Sequence, residues 1–196
     1  MAHQSEIHTA RLVLRTPVQS DAERITELMQ EKDIAWNLGR APYPYAISDA
    51  EDWIASILDK RENDLEYSFV LTHPDHGLIG CAGVTRHDDV WELGYWVGKP
   101  YWGMGYTTEA TTGVMDWARA RLGATQFMAG HYIDNPASGA VLIKLGFEPV
   151  GVVEHFFGKA RGQTSPARRY VYGAPADTAL NMGLQNGAHG EKSHHH

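Results

Sequence analysis

The chain has 196 residues, 43% of them hydrophobic, with a single cysteine and a formal charge of −7 from 17 basic and 24 acidic side chains. That length fills one good core and is short for two; the composition excludes an internal disulfide, a zinc cage of paired cysteines, and a surface made mainly for nucleic acid, which needs clustered Lys and Arg. The opening MAHQSEIHTARLVLR has no apolar signal core and no stretch is long enough to span a bilayer, so a cytoplasmic chain with neither nucleic acid nor membrane as partner is expected.

Arg11-Leu12-Val13-Leu14-Arg15 alternates and stops at Pro17, which predicts an opening strand. Ser20-Asp21-Ala22-Glu23 and Ser48-Asp49-Ala50-Glu51 each have the Ser-x-x-Glu spacing of a capping box. Apolar stripes follow, Ala22, Ile25, Leu28 and Met29 in one case and Ala50, Trp53, Ile54, Ile57 and Leu58 in the other, so two amphipathic helices are predicted. Between them the run AWNLGRAPYPYA holds Gly39, Pro42 and Pro44, which oppose regular structure, while Trp36, Tyr43 and Tyr45 offer large amphipathic surfaces for a bound molecule.

From Leu65 the pattern is β-rich: LEYSFVLT, GLIGCAGVTRH and VWELGYWV, joined by HPDH and by His87-Asp88-Asp89, connections short enough to imply antiparallel neighbours. GKPYWGMGYT leads into a helix from about Thr107 to Leu122. A strand QFMAGHYI, a short helix opening at Asn135-Pro136 and closed by a left-handed Gly146, and two strands, FEPVGVVEHFF and ARRYVYG, complete the order β-α-α-β-β-β-α-β-α-β-β. An antiparallel meander joined to a βαβ-like portion predicts one α+β domain over 1–173 with helices on both faces. Residues 174–196 have no long apolar face and read as a flexible tail whose last histidines look like an expression tag. Of the remaining histidines, His73/His76 and His87 sit at turns without ligand spacing, so no metal is expected.

Two segments carry chemistry. In Trp96-Val97-Gly98-Lys99-Pro100-Tyr101-Trp102-Gly103-Met104-Gly105-Tyr106, two glycines at a strand-to-helix junction let backbone N–H groups and the helix dipole converge on an anion; a tight turn is the plainer reading of the same residues. It lacks the Lys-Ser/Thr of a Walker loop, and Thr108 stands where a dinucleotide fingerprint has its third glycine. In Asp134-Asn135-Pro136-Ala137-Ser138, a helix start offers free N–H groups, with the Ser138 hydroxyl in its first turn; Asn135 as a simple N-cap is the alternative.

Taken in order, TARLVLRTP, WELGYWVGKPYWGMGYTTEA and DNPASGAVLIKLGFEPVG resemble the GNAT N-acetyltransferases, in particular the ribosomal-protein N-terminal (Rim-type) branch, over about residues 9–173. The resemblance implies a mixed, mostly antiparallel sheet of about seven strands, with acetyl-coenzyme A as co-substrate and no metal. It implies that the amides of Gly103, Met104, Gly105 and Tyr106 hold the pyrophosphate and that the backbone of Trp96, Val97 and Gly98 pairs with the pantetheine arm. Asn135 would also touch that arm, and Ser138 would lie near the sulfur. Pro100 departs from the Gln or Arg that many relatives carry there, which marks a subtype. Lys144 is a candidate for the adenosine 3′-phosphate or simply a solvated lysine.

Attack of an amine on a thioester needs a neutral amine, a polarised carbonyl and a proton for the leaving thiolate. Glu92, a carboxylate in the apolar strand WELGYWV, is the candidate base, with His131, Glu154, His155 or a water chain as rivals; Ser138 is the candidate donor to the thiolate. Glu109 reads as a helix N-terminal anchor and Cys81 as a small buried hydrophobe, not an acetyl carrier. The acceptor reading is a protein N-terminal α-amine. A small amine such as a polyamine, amino acid or aminoglycoside-like molecule, and a coenzyme A-binding sensor without turnover, stay open beside it.

Overall fold

The alternating runs assemble into one sheet. In the computed structural model, which describes residues 6–173, the strands are β1 (Ile7–His8), β2 (Val13–Arg15), β3 (Glu66–His73), β4 (Gly77–His87), β5 (Val90–Val97), β6 (Phe127–Tyr132), β7 (Glu148–Gly158) and β8 (Gln163–Tyr172). The expected tail, 174–196, lies outside the described residues. The order across the sheet is β1-β2-β3-β4-β5-β6-β8-β7, and only β5 and β6 run parallel. This is the mixed, mostly antiparallel sheet expected, with eight strands where about seven were predicted. The difference lies at the start: a turn in which the Thr9 N–H donates to the Leu12 carbonyl at 2.9 Å separates β1 from β2.

Among the described residues five α-helices cover the sheet: α1 (Ala22–Leu28), α2 (Lys32–Asn37), α3 (Ile47–Glu62), α4 (Tyr106–Leu122) and α5 (Pro136–Lys144). Strand alternation assigns the two faces. Tyr67, Phe69 and Leu71 of β3 pack with Ala110, Val114, Trp117 and Ala118 of α4, and Leu142 of α5 belongs to the same core. Val70, one residue out of phase, belongs instead to a second core with Ile25 and Leu28 of α1, Ile34 of α2 and Ile54 of α3.

Both predicted helix starts exist, but the chain enters helical geometry earlier than the Ser-x-x-Glu spacing implied. The reciprocal carboxylates are Asp21, which accepts the Val18 N–H at 2.9 Å, and Asp49, which accepts the Ala46 N–H at 2.8 Å; Ser20 and Ser48 therefore fall inside a helical turn and do not precede it. The run expected to be irregular from Ala35 begins with the end of α2, because its glycine and prolines come only after Asn37.

Candidate active site

β5 and β6 touch only at Trp91↔Phe127 and Glu92↔Met128, after which they part. The Trp91 N–H donates to the Gln126 carbonyl at 3.0 Å, so the Trp91 backbone faces the β6 side. Alternation then turns the backbone groups of Tyr95 and Val97 to that same side, where β6 has diverged. The Gly98 N–H, in contrast, donates to the Ile79 carbonyl at 2.7 Å, and Trp96 lies opposite Cys81 of β4. Of the three residues expected to offer backbone to the pantetheine arm, Val97 alone faces the opening; Tyr95, which the sequence reading missed, joins it. The Val97 carbonyl already accepts the Trp102 indole N–H at 2.6 Å, which folds the following loop back on the strand.

That loop is the expected cradle. Gly103 and Gly105 have φ of +76° and +80°, a left-handed geometry that favours glycine, and Gly105 immediately precedes α4. A Cβ placed on Gly103 would meet nothing within 4 Å, so its face is open to a ligand. The first N–H groups of α4 have no intrahelical acceptor and carry the positive end of its dipole. Met104 is half exposed and Tyr106 is buried against the core. Arg11, which the sequence reading did not single out, buttresses the loop and lines the groove beside Gly105. Its guanidinium donates to the Met104 carbonyl (2.9 Å) and to Glu109 Oε1 (2.7 Å), its N–H donates to Glu109 Oε2 (2.8 Å), and it stacks 4.4 Å from the Tyr106 ring centroid. Burial pulls the Glu109 carboxyl upward, but bonds from Thr9 and Arg11 outweigh it and hold it below the usual carboxylate range. Glu109 thus ties the β1–β2 turn to α4. An open groove of about 620 Å³ runs from Gly105 past Thr108 and Thr112 to Lys144.

Glu92 and Ser138 sit on opposite faces of the sheet, one on each side of the opening. Glu92 is out of phase with Trp91 and Leu93, and its oxygens lie 3.8 Å from His87 Nε2 and 3.8 Å from Arg169 Nη1. Burial pushes its carboxyl upward, yet the facing His87 and the charges of Arg169 and Arg40 prevail, so Glu92 titrates below the usual range. Arg169 is itself bonded to Glu154 at 2.9 Å, which commits that rival carboxylate. His131, another rival, is 8% exposed with both ring nitrogens engaged, Nδ1 with the Tyr132 carbonyl (2.6 Å) and Nε2 with the Tyr170 hydroxyl (3.2 Å). His155 lies exposed on β7. On the other face, Ser138 Oγ is 2.6 Å from the Tyr95 hydroxyl. Asn135 occupies the N-cap position of α5 without a side-chain capping bond.

The run expected to receive the acceptor divides its aromatic side chains between surface and core. Tyr43 is 41% exposed, and Lys32 Nζ lies 5.9 Å from its ring and 5.4 Å from that of Trp36. Tyr45, expected beside them, is packed into the α1–α3 core, where burial pushes its hydroxyl up to about 12. Trp36 is held by Arg161, whose side chain is only 2% exposed. Its guanidinium donates to the Trp36 carbonyl (2.8 Å) and to both Asp134 oxygens (2.8 and 2.7 Å), and it lies 3.7 Å from the Tyr132 ring centroid. This clasp joins the acceptor loop, the turn before Asn135 and the β7–β8 connection. No local spacing announces it, because its partners are far apart in the chain. Among the described residues, no three His, Cys, Asp or Glu side chains gather as a metal site.

The sequence profile of the acetyltransferase (GNAT) domain matches residues 11–148. The uncharacterized N-acetyltransferase YoaA of Bacillus subtilis is 27% identical over 177 residues, covering 88% of this chain and 92% of the relative. Among solved structures, Mycobacterium smegmatis RimJ in complex with a coenzyme A disulfide superposes with a TM-score of 0.77 at 15% identity, over 92% of this chain and 95% of that one. The ribosomal-protein-S5-alanine acetyltransferase of Vibrio fischeri gives 0.73 at 18% identity, over 85% and 95%. These structures share the fold. The profile match covers most of the chain and includes the cradle, the splayed strands and the α5 start: the protein belongs to the acetyltransferase (GNAT) domain family and is an N-acetyltransferase whose acyl donor is acetyl-coenzyme A.

Proposed function

We propose that the acceptor is the α-amine of a protein N-terminus. The observation that carries this reading is the state of Glu92. A carboxylate held below its usual range by His87 and Arg169 stays ionised at neutral pH but is a weak base. Such a group suits an amine that is already partly neutral. A free α-amine has a pKa of about 7.7–8.0, whereas a lysine side chain, at about 10.4, is neutral only about one time in a thousand at pH 7.4. The ribosomal-protein-S5-alanine acetyltransferase of Vibrio fischeri, whose name specifies a protein acceptor, supports the same choice.

In this reading acetyl-coenzyme A lies in the opening between β5 and β6. Its pyrophosphate meets the amides of Gly103, Met104, Gly105 and Tyr106, its arm lies along Val97 and Asn135, and its adenosine end follows the groove toward Lys144. The acceptor enters from the face of Glu92, past Trp36 and Tyr43. The amine nitrogen bonds to the thioester carbonyl carbon and the carbon–sulfur bond breaks. One amine proton passes to Glu92, directly or through water, and the departing sulfur takes a hydrogen bond and finally a proton on the Ser138 side. A reducing, cytoplasmic setting fits the one free thiol, the buried Cys81.

The test is thiol release from acetyl-coenzyme A across N-terminal peptides, polyamines and amino acids. Peptides with a free N-terminus should give the highest kcat/KM. A polyamine or amino acid that outperforms every peptide would overturn the assigned acceptor.

A further inference from the structure

We infer that Tyr95 is a positioning residue that holds the Ser138 hydroxyl in line with the leaving sulfur. The inference rests on the reading of Ser138 as the donor and adds the group through which it works.

Tyr95 belongs to β5 and shares the phase of Trp91, Leu93 and Val97, so its ring packs against the α4–α5 core while its backbone faces the opening. Ser138 is the third residue of α5, on the other side of that opening. The phenol oxygen lies 2.6 Å from Ser138 Oγ and 3.4 Å from the Ser138 carbonyl. An isolated serine hydroxyl rotates among staggered positions. Here the short contact to a rigid, partly buried phenol selects one.

The proton order within the pair follows from its neighbours. The Tyr132 carbonyl can only accept, so His131 Nδ1 donates to it at 2.6 Å, and Nε2 of the neutral tautomer then accepts from the Tyr170 hydroxyl at 3.2 Å. The proton of Tyr170 is thereby committed to His131. Between Tyr95 and Ser138 the phenol is the stronger acid and the better donor. It donates to Ser138 Oγ, which leaves the Ser138 proton free to point at the sulfur. Tyr95 also stays neutral: burial pushes its hydroxyl up to about 12, with Ser138 lowering it and the nearby Tyr170 raising it. Tyr95 keeps its own proton throughout; Ser138 supplies the hydrogen bond to the thiolate as the carbon–sulfur bond breaks. The hydroxyl pair joins the sheet to α5 at this point, beside the close packing of Gly139 against His131 and Tyr170.

The experiment is a double-mutant cycle of Tyr95→Phe and Ser138→Ala, read as kcat and as KM for acetyl-coenzyme A, with thermal midpoints alongside. Phe keeps the ring in its packing. Tyr95→Phe should lower kcat about three- to tenfold, the span of one neutral hydrogen bond, with KM for acetyl-coenzyme A and the midpoint near those of the parent. In the Ser138→Ala background the same change should do nothing more, because the group it positions is gone. Losses that multiply in the double variant, or a Tyr95→Phe enzyme at the parent rate beside a slow Ser138→Ala enzyme, overturn the role of Tyr95 and leave the donor reading standing. A Ser138→Ala enzyme at the parent rate overturns the donor reading itself, and the positioning role with it.

Discussion

At the scale of single residues, the two groups proposed for the chemistry are prepared in opposite ways. Glu92 faces His87 and Arg169, which hold it ionised, and Ser138 Oγ lies 2.6 Å from the Tyr95 hydroxyl. The variants should therefore differ in how pH affects them. Glu92→Gln removes the proton acceptor and leaves Arg169 paired with Glu154, so the fold should tolerate it. Its kcat/KM on an N-terminal peptide should fall by at most about a hundredfold at pH 7, the lower end of general-base effects, and much of that loss should return toward pH 9 as the acceptor amine loses its own proton. Because its pKa is depressed, Glu92 of the parent stays a carboxylate through the usual carboxylate range, so activity should rise with the amine's titration and not with that of Glu92. Ser138→Ala should stay slow at every pH, because removing protons from solution replaces no donor. A Glu92→Gln enzyme that matches the parent at all pH values would remove Glu92 from the mechanism.

Among the elements, the junction of β5 with α4 is the proposed seat of the cofactor. Gly103 and Gly105 serve both the backbone turn and the approach of a ligand, and the two roles can be separated at Gly103, where a side chain meets no protein atom within 4 Å. Gly103→Ala should cost about 1 kcal/mol of stability from its left-handed φ. Its acetyl-coenzyme A affinity should weaken more than tenfold, because the methyl occupies the open face. Denaturant unfolding and calorimetric titration on one preparation check this; the stability loss with unchanged affinity would make the loop a turn and nothing more. The same element shows what the sequence could and could not convey. The β4 and β5 boundaries, the α4 start and the Pro136 start of α5 follow from alternation, Gly pairs and Asn-Pro, all local signals. The buttress of Arg11 on Glu109 and the partners of Glu92 were not legible, since they join residues that only the folded sheet brings together. Tyr45 was misplaced because an aromatic in a Pro-rich run looks alike whether it faces a ligand or the core.

For the whole molecule, the parting of β5 from β6 turns a continuous sheet into two halves with a slot between them. α4 and α5 stand on one face, α1 to α3 on the other, and the Arg161 clasp binds the acceptor loop of the second face to the turn that opens α5. In the proposed reading donor and acceptor meet through the sheet from opposite sides, with Ser138 behind the thioester and Glu92 in front. The choice of acceptor is the central claim, and a single peptide carrying both a free N-terminus and one internal lysine tests it most directly. After limited turnover with acetyl-coenzyme A at pH 7.4, fragmentation mass spectrometry locates the added acetyl group. The account predicts that it lies on the α-amine, by the roughly hundredfold or greater excess of neutral amine there; an acetyl group found chiefly on the lysine would contradict it.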